Sequence, residues 1–126
     1  MKILNLYAGL GGNRELWRGH EITAVERDEE LAKLYSKKFK DDVVIVGDAK
    51  EYLVKMWRNY DIIWASPPCP DHSRAKFIQN KGKYLPNMDL YSIIIFLEYH
   101  TNKDYIVENV VPYYKPLLSL FRYLDF

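Results

Sequence analysis

Short apolar runs alternate with longer mixed stretches along this chain. The runs at residues 2–7, 21–25, 42–46, 60–65 and 104–108 have the length and β-branched character of strands. Between them, residues 13–18 read as a helix with Asn13 as its N-cap. Asp28 can cap a helix running to about Phe39, and residues 49–58 are helical. Residues 89–100 space their apolar side chains at helical intervals, although Ile93-Ile94-Ile95 also suits a strand. A further helix is expected to begin at Pro112 and run to Tyr123. Residues 74–88 carry Arg74, Lys76, Lys81 and Lys83 with Gly82 and Pro86, the composition of an exposed basic loop. Five strands separated by helical stretches imply βαβ units, an α/β fold and a mostly parallel sheet with flanking helices.

Composition narrows the picture. The 126 residues suit one domain, spanning 1–126, and 48% hydrophobic with 28% charged residues is an ordinary globular balance. A net charge of +1, from 18 basic and 17 acidic side chains, neither requires nor excludes a nucleic-acid partner. Cys69 is the one cysteine, so a disulfide framework and a multi-cysteine zinc site are both excluded, and a reducing compartment fits. The start Met1-Lys2-Ile3-Leu4-Asn5 lacks the apolar core of a signal peptide, and no apolar run reaches membrane-spanning length. A cytoplasmic protein without membrane or metal partners is expected.

The chemistry-bearing residues fall at the carboxyl ends of the expected strands, where open α/β sheets bind ligands. After the first strand comes Tyr7-Ala8-Gly9-Leu10-Gly11-Gly12. Its glycines tolerate positive φ and let backbone approach a ligand, and a helix N-terminus follows. The spacing is neither that of a P-loop nor G-x-G-x-x-G, and alone it equally describes a tight turn. Glu26, after the second strand, can accept from two ribose hydroxyls, or be a solvated carboxylate. Asp48, after the third, can accept from an exocyclic amine, cap a helix, or do both. The fourth strand runs into Pro67-Pro68-Cys69-Pro70-Asp71-His72-Ser73, where prolines stiffen the approach to the thiol. By itself Cys69 reads as a small buried hydrophobe, and it is the motifs around it that overturn this. A Cys69–His72–Asp71 hydrolytic relay is disfavoured, because three neighbours on one stiff loop struggle to align. The fifth strand ends in Glu108-Asn109-Val110.

Taken in order, these motifs resemble those of the cytosine-C5 DNA methyltransferases, which use S-adenosyl-L-methionine. Residues 7–12 resemble that family's F-x-G-x-G-G loop with Tyr7 for Phe. Pro68-Cys69 resembles its proline-cysteine motif, and Glu108-Asn109-Val110 its Glu-Asn-Val motif. The resemblance implies a Rossmann-like methyltransferase fold. It implies a cofactor site formed by Tyr7, Ala8, Gly9, Leu10, Gly11, Gly12, Glu26, Arg27, Asp48, Ala49 and Pro67. It further implies Cys69 as nucleophile to cytosine C6, Glu108 at the N3 edge of the base, Pro68 and Asn109 beside them, and Ser73, Arg74 and Lys76 on the substrate strand. DNA is the implied partner, in a bacterial, phage or mobile-element setting where restriction–modification is one role.

Three departures from the family stand out. Arg27 occupies the place of a tryptophan that stacks on adenine in many members, and it can stack through its guanidinium or point to solvent. Pro70 replaces a common Gln. The resemblance covers residues 3–112 and stops short of the family's Q-x-R-x-R motif, its target-recognition domain and its C-terminal motifs. The expectation is therefore the N-terminal part of a catalytic domain, with five strands, acting as a fragment or completed by a second chain. Two alternatives remain: a non-catalytic relic that binds S-adenosylmethionine or a partner, and an RNA cytosine-C5 methyltransferase.

Overall fold

The computed structural model describes residues 1–15, 17–67, 89–109 and 123–125. Strands β1 (Lys2–Leu6), β2 (Glu21–Glu26), β3 (Val43–Val46), β4 (Ile62–Ala65), β5 (Asp104–Asn109) and β6 (Tyr123–Asp125) form one sheet in the order β3-β2-β1-β4-β5-β6. Every neighbouring pair is parallel. The chain moves outward from β1 to β3, then returns to the other side of β1 and moves outward again from β4 to β6. The order thus reverses between β1 and β4, and the crevice beyond their carboxyl ends is where such sheets take ligands.

Parallel strands covered on both faces become near-continuous apolar runs. Accordingly Ile3, Leu4, Asn5 and Leu6 of β1 are all buried, Asn5 being the one polar side chain among the buried described residues. The larger core packs Leu4, Leu6, Val25, Ile63 and Ala65 of the sheet against Leu53 of α2 (Ala49–Met56) and Leu90, Ile93, Ile94 and Leu97 of α3 (Asp89–His100). A smaller cluster joins Ala24 to Tyr35 of α1 (Glu29–Lys38), with Phe39 and Val44 against it.

The helices form where local signals agree with this packing. Asp28 Oδ1 accepts from Glu30 N (2.9 Å) and Leu31 N (3.2 Å), with acids in the first turn of α1 and lysines in its last. Asp48 Oδ1 likewise accepts from Glu51 N at 2.9 Å and opens α2. In α3 the spacing of Leu90, Ile93, Ile94 and Leu97 puts all four on the face toward the sheet, which overrides the strand propensity of the isoleucine run.

Three local expectations need correction. The helix expected over residues 13–18 is a single 3-10 turn, Gly12–Arg14, capped by Gly11 without a side-chain bond. Asn13 caps nothing there; its Nδ2 donates to Asn5 Oδ1 at 3.0 Å. The helix expected to reach Arg58 ends at Met56 and tightens into a 3-10 turn, Trp57–Asn59. Five strands were expected, and a sixth, β6, pairs Leu124 beside Glu108. Tyr123 thus opens a strand, and the rest of the helix expected from Pro112 lies outside the described residues.

The hydroxyls of Tyr52 and Tyr60 lie 2.7 Å apart, and burial followed by this hydrogen bond pushes Tyr52 up to about 12. An unfolded tyrosine ionises near pH ~10. The folded state therefore holds the neutral phenol, and its stabilising contribution is full below pH ~10 and is lost as pH rises toward the folded value. Urea midpoints should fall between pH 9 and pH 12, and Tyr52→Phe should make that fall shallower; an equal fall in the variant would reject the assignment.

Candidate functional site

Where β1 ends, the backbone turns abruptly. Tyr7 has φ 58°, a left-handed conformation uncommon for a residue with a side chain, and Gly9 (56°) and Gly11 (80°) are left-handed too. Backbone bonds from Ala8 N to Val25 O (3.1 Å), Gly11 N to Ala8 O (3.0 Å) and Arg14 N to Gly11 O (3.0 Å) hold the turn. Gly11 is required twice over: by its φ, and because a β-carbon there would sit 2.4 Å from the Phe39 ring and 2.8 Å from that of Tyr35.

Glu26 fastens this loop to β2. Its Oε1 accepts from Gly9 N at 3.0 Å and its Oε2 from Asp28 N at 2.7 Å. A carboxylate has about four lone-pair sites, so both oxygens retain acceptor capacity toward a ligand. One strand further out, Gly47 N donates to Glu26 O at 3.1 Å, which sets Asp48 at the level of Glu26.

Beneath the loop lies a buried polar cluster. Arg14 Nε and Nη2 donate to Asp42 Oδ2 (2.8 Å) and Oδ1 (2.9 Å), Arg14 Nη1 donates to Trp17 O, and Tyr35 Oη donates to Asp42 Oδ2 at 2.7 Å. The Asp42 hydrogen bond raises Arg14 above its ordinary value. Burial, then the bond to Asp42, pushes the Tyr35 phenol well up.

On the other side of the reversal, Ser66 N donates to Leu6 O (3.2 Å) and Ser66 Oγ accepts from Trp64 Nε1 (2.8 Å). Trp17 packs on Trp64 with ring centroids 5.2 Å apart. The segment entering the proline-cysteine motif thus leaves β4 in a fixed direction. Ala65 pairs with Val107, so Ser66, just past β4, lies level with the half-buried Glu108 near the end of β5.

These ends enclose a cavity of about 520 Å³, within the range of small-molecule sites. Tyr7, Glu26, Arg27, Asp48, Ala49 and Pro67, all singled out from the sequence, line it. Ala8 is buried, Leu10 is exposed, and neither they nor Gly9, Gly11 and Gly12 are on its wall. Val25, Leu31, Gly47, Lys50, Ser66 and Leu90 also line it. Lys50 and Leu31 are first-turn helix positions, for which the capping aspartates were the only sequence signal. Cys69, Pro68, Ser73, Arg74 and Lys76 lie outside the described residues, as does the side chain of Asn109. Among the described residues no three acidic, histidine or cysteine side chains gather as a metal site, and no helix is long and apolar enough to cross a membrane.

The sequence profile of the C-5 cytosine-specific DNA methylases matches residues 1–114. A tRNA (cytosine(38)-C(5))-methyltransferase from Spodoptera frugiperda is 33% identical over 124 residues, covering 86% of this chain and 35% of the relative. A crystal structure of a DNMT2 mutant from the same organism superposes with a TM-score of 0.61 at 30% identity, over 86% of this chain and 35% of that one. The Entamoeba histolytica methyltransferase EhMeth shares the fold, with a TM-score of 0.56 at 22% identity over 87% of this chain and 38% of its own. The chain thus spans about a third of the length of these relatives. The fold is the Rossmann-like one of S-adenosylmethionine-dependent methyltransferases, and S-adenosyl-L-methionine is the cofactor that goes with it. With the profile matched over most of its length, the chain belongs to the C-5 cytosine-specific DNA methylase family.

Proposed function

We propose that this chain carries the cofactor-binding and nucleophile-bearing part of a cytosine-C5 methyltransferase acting on nucleic acid. The observation that carries the proposal is the convergence of Glu26, Asp48 and the exit of β4 on one cavity at the reversal of the sheet. Its residues suit the cofactor. Glu26 keeps acceptor sites for ribose hydroxyls, Asp48 has a second oxygen beside its capping one for an adenine amine, and Arg27 offers a planar cation to the adenine face. Bound there, S-adenosylmethionine supplies a methyl group activated by its sulfonium.

The protein's own part is to make cytosine C5 nucleophilic. The Cys69 thiolate adds to C6, which gives C5 enamine character, and Glu108 hydrogen-bonds the N3 edge where charge develops. After C5 is methylated, loss of its proton and expulsion of the thiolate restore the aromatic ring. Pro67 and Pro68 stiffen the approach to the thiol, and Asn109 follows Glu108 at the end of β5. A paired base cannot present C6, so the cytosine is flipped out or already single-stranded. Ser73, Arg74 and Lys76 are the candidates to hold its phosphates. DNA is the substrate suggested by the family's description. The second reading, RNA, is favoured by the relative that modifies tRNA.

Two outcomes are expected. Glu26→Ala should weaken S-adenosylhomocysteine binding by roughly 10–100-fold in calorimetry, the scale of losing a charged hydrogen-bond acceptor; unchanged affinity would remove Glu26 from the site. With S-adenosylmethionine present, oligonucleotides containing 5-fluorocytosine should trap a covalent adduct at Cys69. Running DNA and tRNA versions in competition identifies the substrate by which one is trapped. Cys69→Ala should form no adduct yet keep cofactor affinity. No adduct on either substrate, with cofactor bound and the remaining segments of a relative supplied in trans, overturns the transfer reading in favour of a non-catalytic binding domain.

A further inference from the structure

The Arg14 cluster lies outside the cavity, yet one run of contacts joins the two. Arg14 is 13% exposed and Asp42 2%. Their contact is a two-pronged, charge-assisted fork, and Asp42 Oδ2 accepts a third bond from Tyr35. The three residues come from different segments: the turn after the glycine loop, the residue before β3, and α1. The Arg14 guanidinium also covers the Phe39 ring at 4.9 Å, and Lys38 pairs with Glu15 at the rim. This aromatic floor, Tyr35 and Phe39, is what Gly11 rests on without room for a β-carbon.

From Arg14 the connection runs along the backbone. Arg14 N bonds Gly11 O, Gly11 N bonds Ala8 O, and Gly9 N bonds the Glu26 carboxylate that faces the cavity. Moving Arg14 moves the Gly9 donor, and with it the oxygen that Glu26 has to offer. We propose that Arg14, Asp42 and Tyr35 are positioning residues for the cofactor site, locking the glycine loop in the left-handed shape that aims Glu26 and Tyr7 into the cavity. This rests on the reading of the cavity as the S-adenosylmethionine site. A flat fork matters here, not charge alone: lysine at position 14 retains the cation but offers Asp42 a single point of contact.

The expected consequence is an affinity defect larger than the stability defect. If loosening leaves one loop in ten in the binding shape, the apparent dissociation constant rises about tenfold. The test is calorimetric titration of S-adenosylhomocysteine into the 126-residue chain, alongside urea midpoints without ligand. Wild type is compared with Arg14→Lys, Tyr35→Phe, the double variant and Leu53→Ala, the last a core truncation in α2 that lowers stability away from the loop. About tenfold weaker binding by Arg14→Lys and Tyr35→Phe, with no further loss in the double variant and none in Leu53→Ala, supports the proposal. Should Arg14→Lys fail to fold, Tyr35→Phe carries the same comparison, since it deletes one oxygen and keeps the ring under Gly11. Variants that lose stability as Leu53→Ala does while binding as tightly as wild type overturn it. Wild type that binds no S-adenosylhomocysteine overturns the cofactor reading underneath, which is a separate result.

Discussion

A parallel strand paired on both sides has its backbone donors and acceptors taken, and β1 is in that position between β2 and β4. The chain leaving its carboxyl end turns out of the sheet at once. The left-handed φ of Tyr7 is that turn. From it follow the glycine loop, the bond from Gly9 to Glu26 that fastens the loop to β2, and the opening between loop and β4 that becomes the cavity. Site and topology are thus one constraint. The wall of the cavity includes Tyr7, the residue that solves the exit from the central strand.

Much of this was legible in the sequence because the signals were local. Asp28 and Asp48 each announce a helix by capping it, and both also stand next to a strand end, so the motif and the cap mark the same boundary. The apolar spacing of α3 carried more information than the strand propensity of its isoleucines, because burial along one face outweighs single-residue preference. The gathering of Tyr7, Glu26, Asp48 and Pro67 was foreseeable from parallel topology alone, since every carboxyl end then points the same way.

What could not be read depended on contacts distant in sequence. Residues 13–18 have helical character, but Arg14 is drawn to Asp42, and Asn13 turns inward to Asn5 on β1 instead of capping. The first contact reaches across 28 residues, and the second turns back from the loop onto the strand before it. β6 is too short for an alternating pattern, and only its pairing with β5 makes it a strand. Leu31, Lys50 and Leu90 reach the cavity because helices start beside it, a matter of sheet geometry rather than motif.

The position of β1 also bears on how the protein is made. It leaves the ribosome before the other five strands of this sheet, and β2 and β3 follow within the same stretch of chain, so one flank can pair early. The other flank waits for β4, whose residues Ile62–Ala65 come after two helices have been synthesised. Through that interval the central strand presents a bare apolar edge to whatever is near. A nascent chain of this topology therefore has a vulnerable stage fixed by gene order, in which a chaperone, or a ribosome that does not pause before β4, protects an edge that the finished protein no longer has.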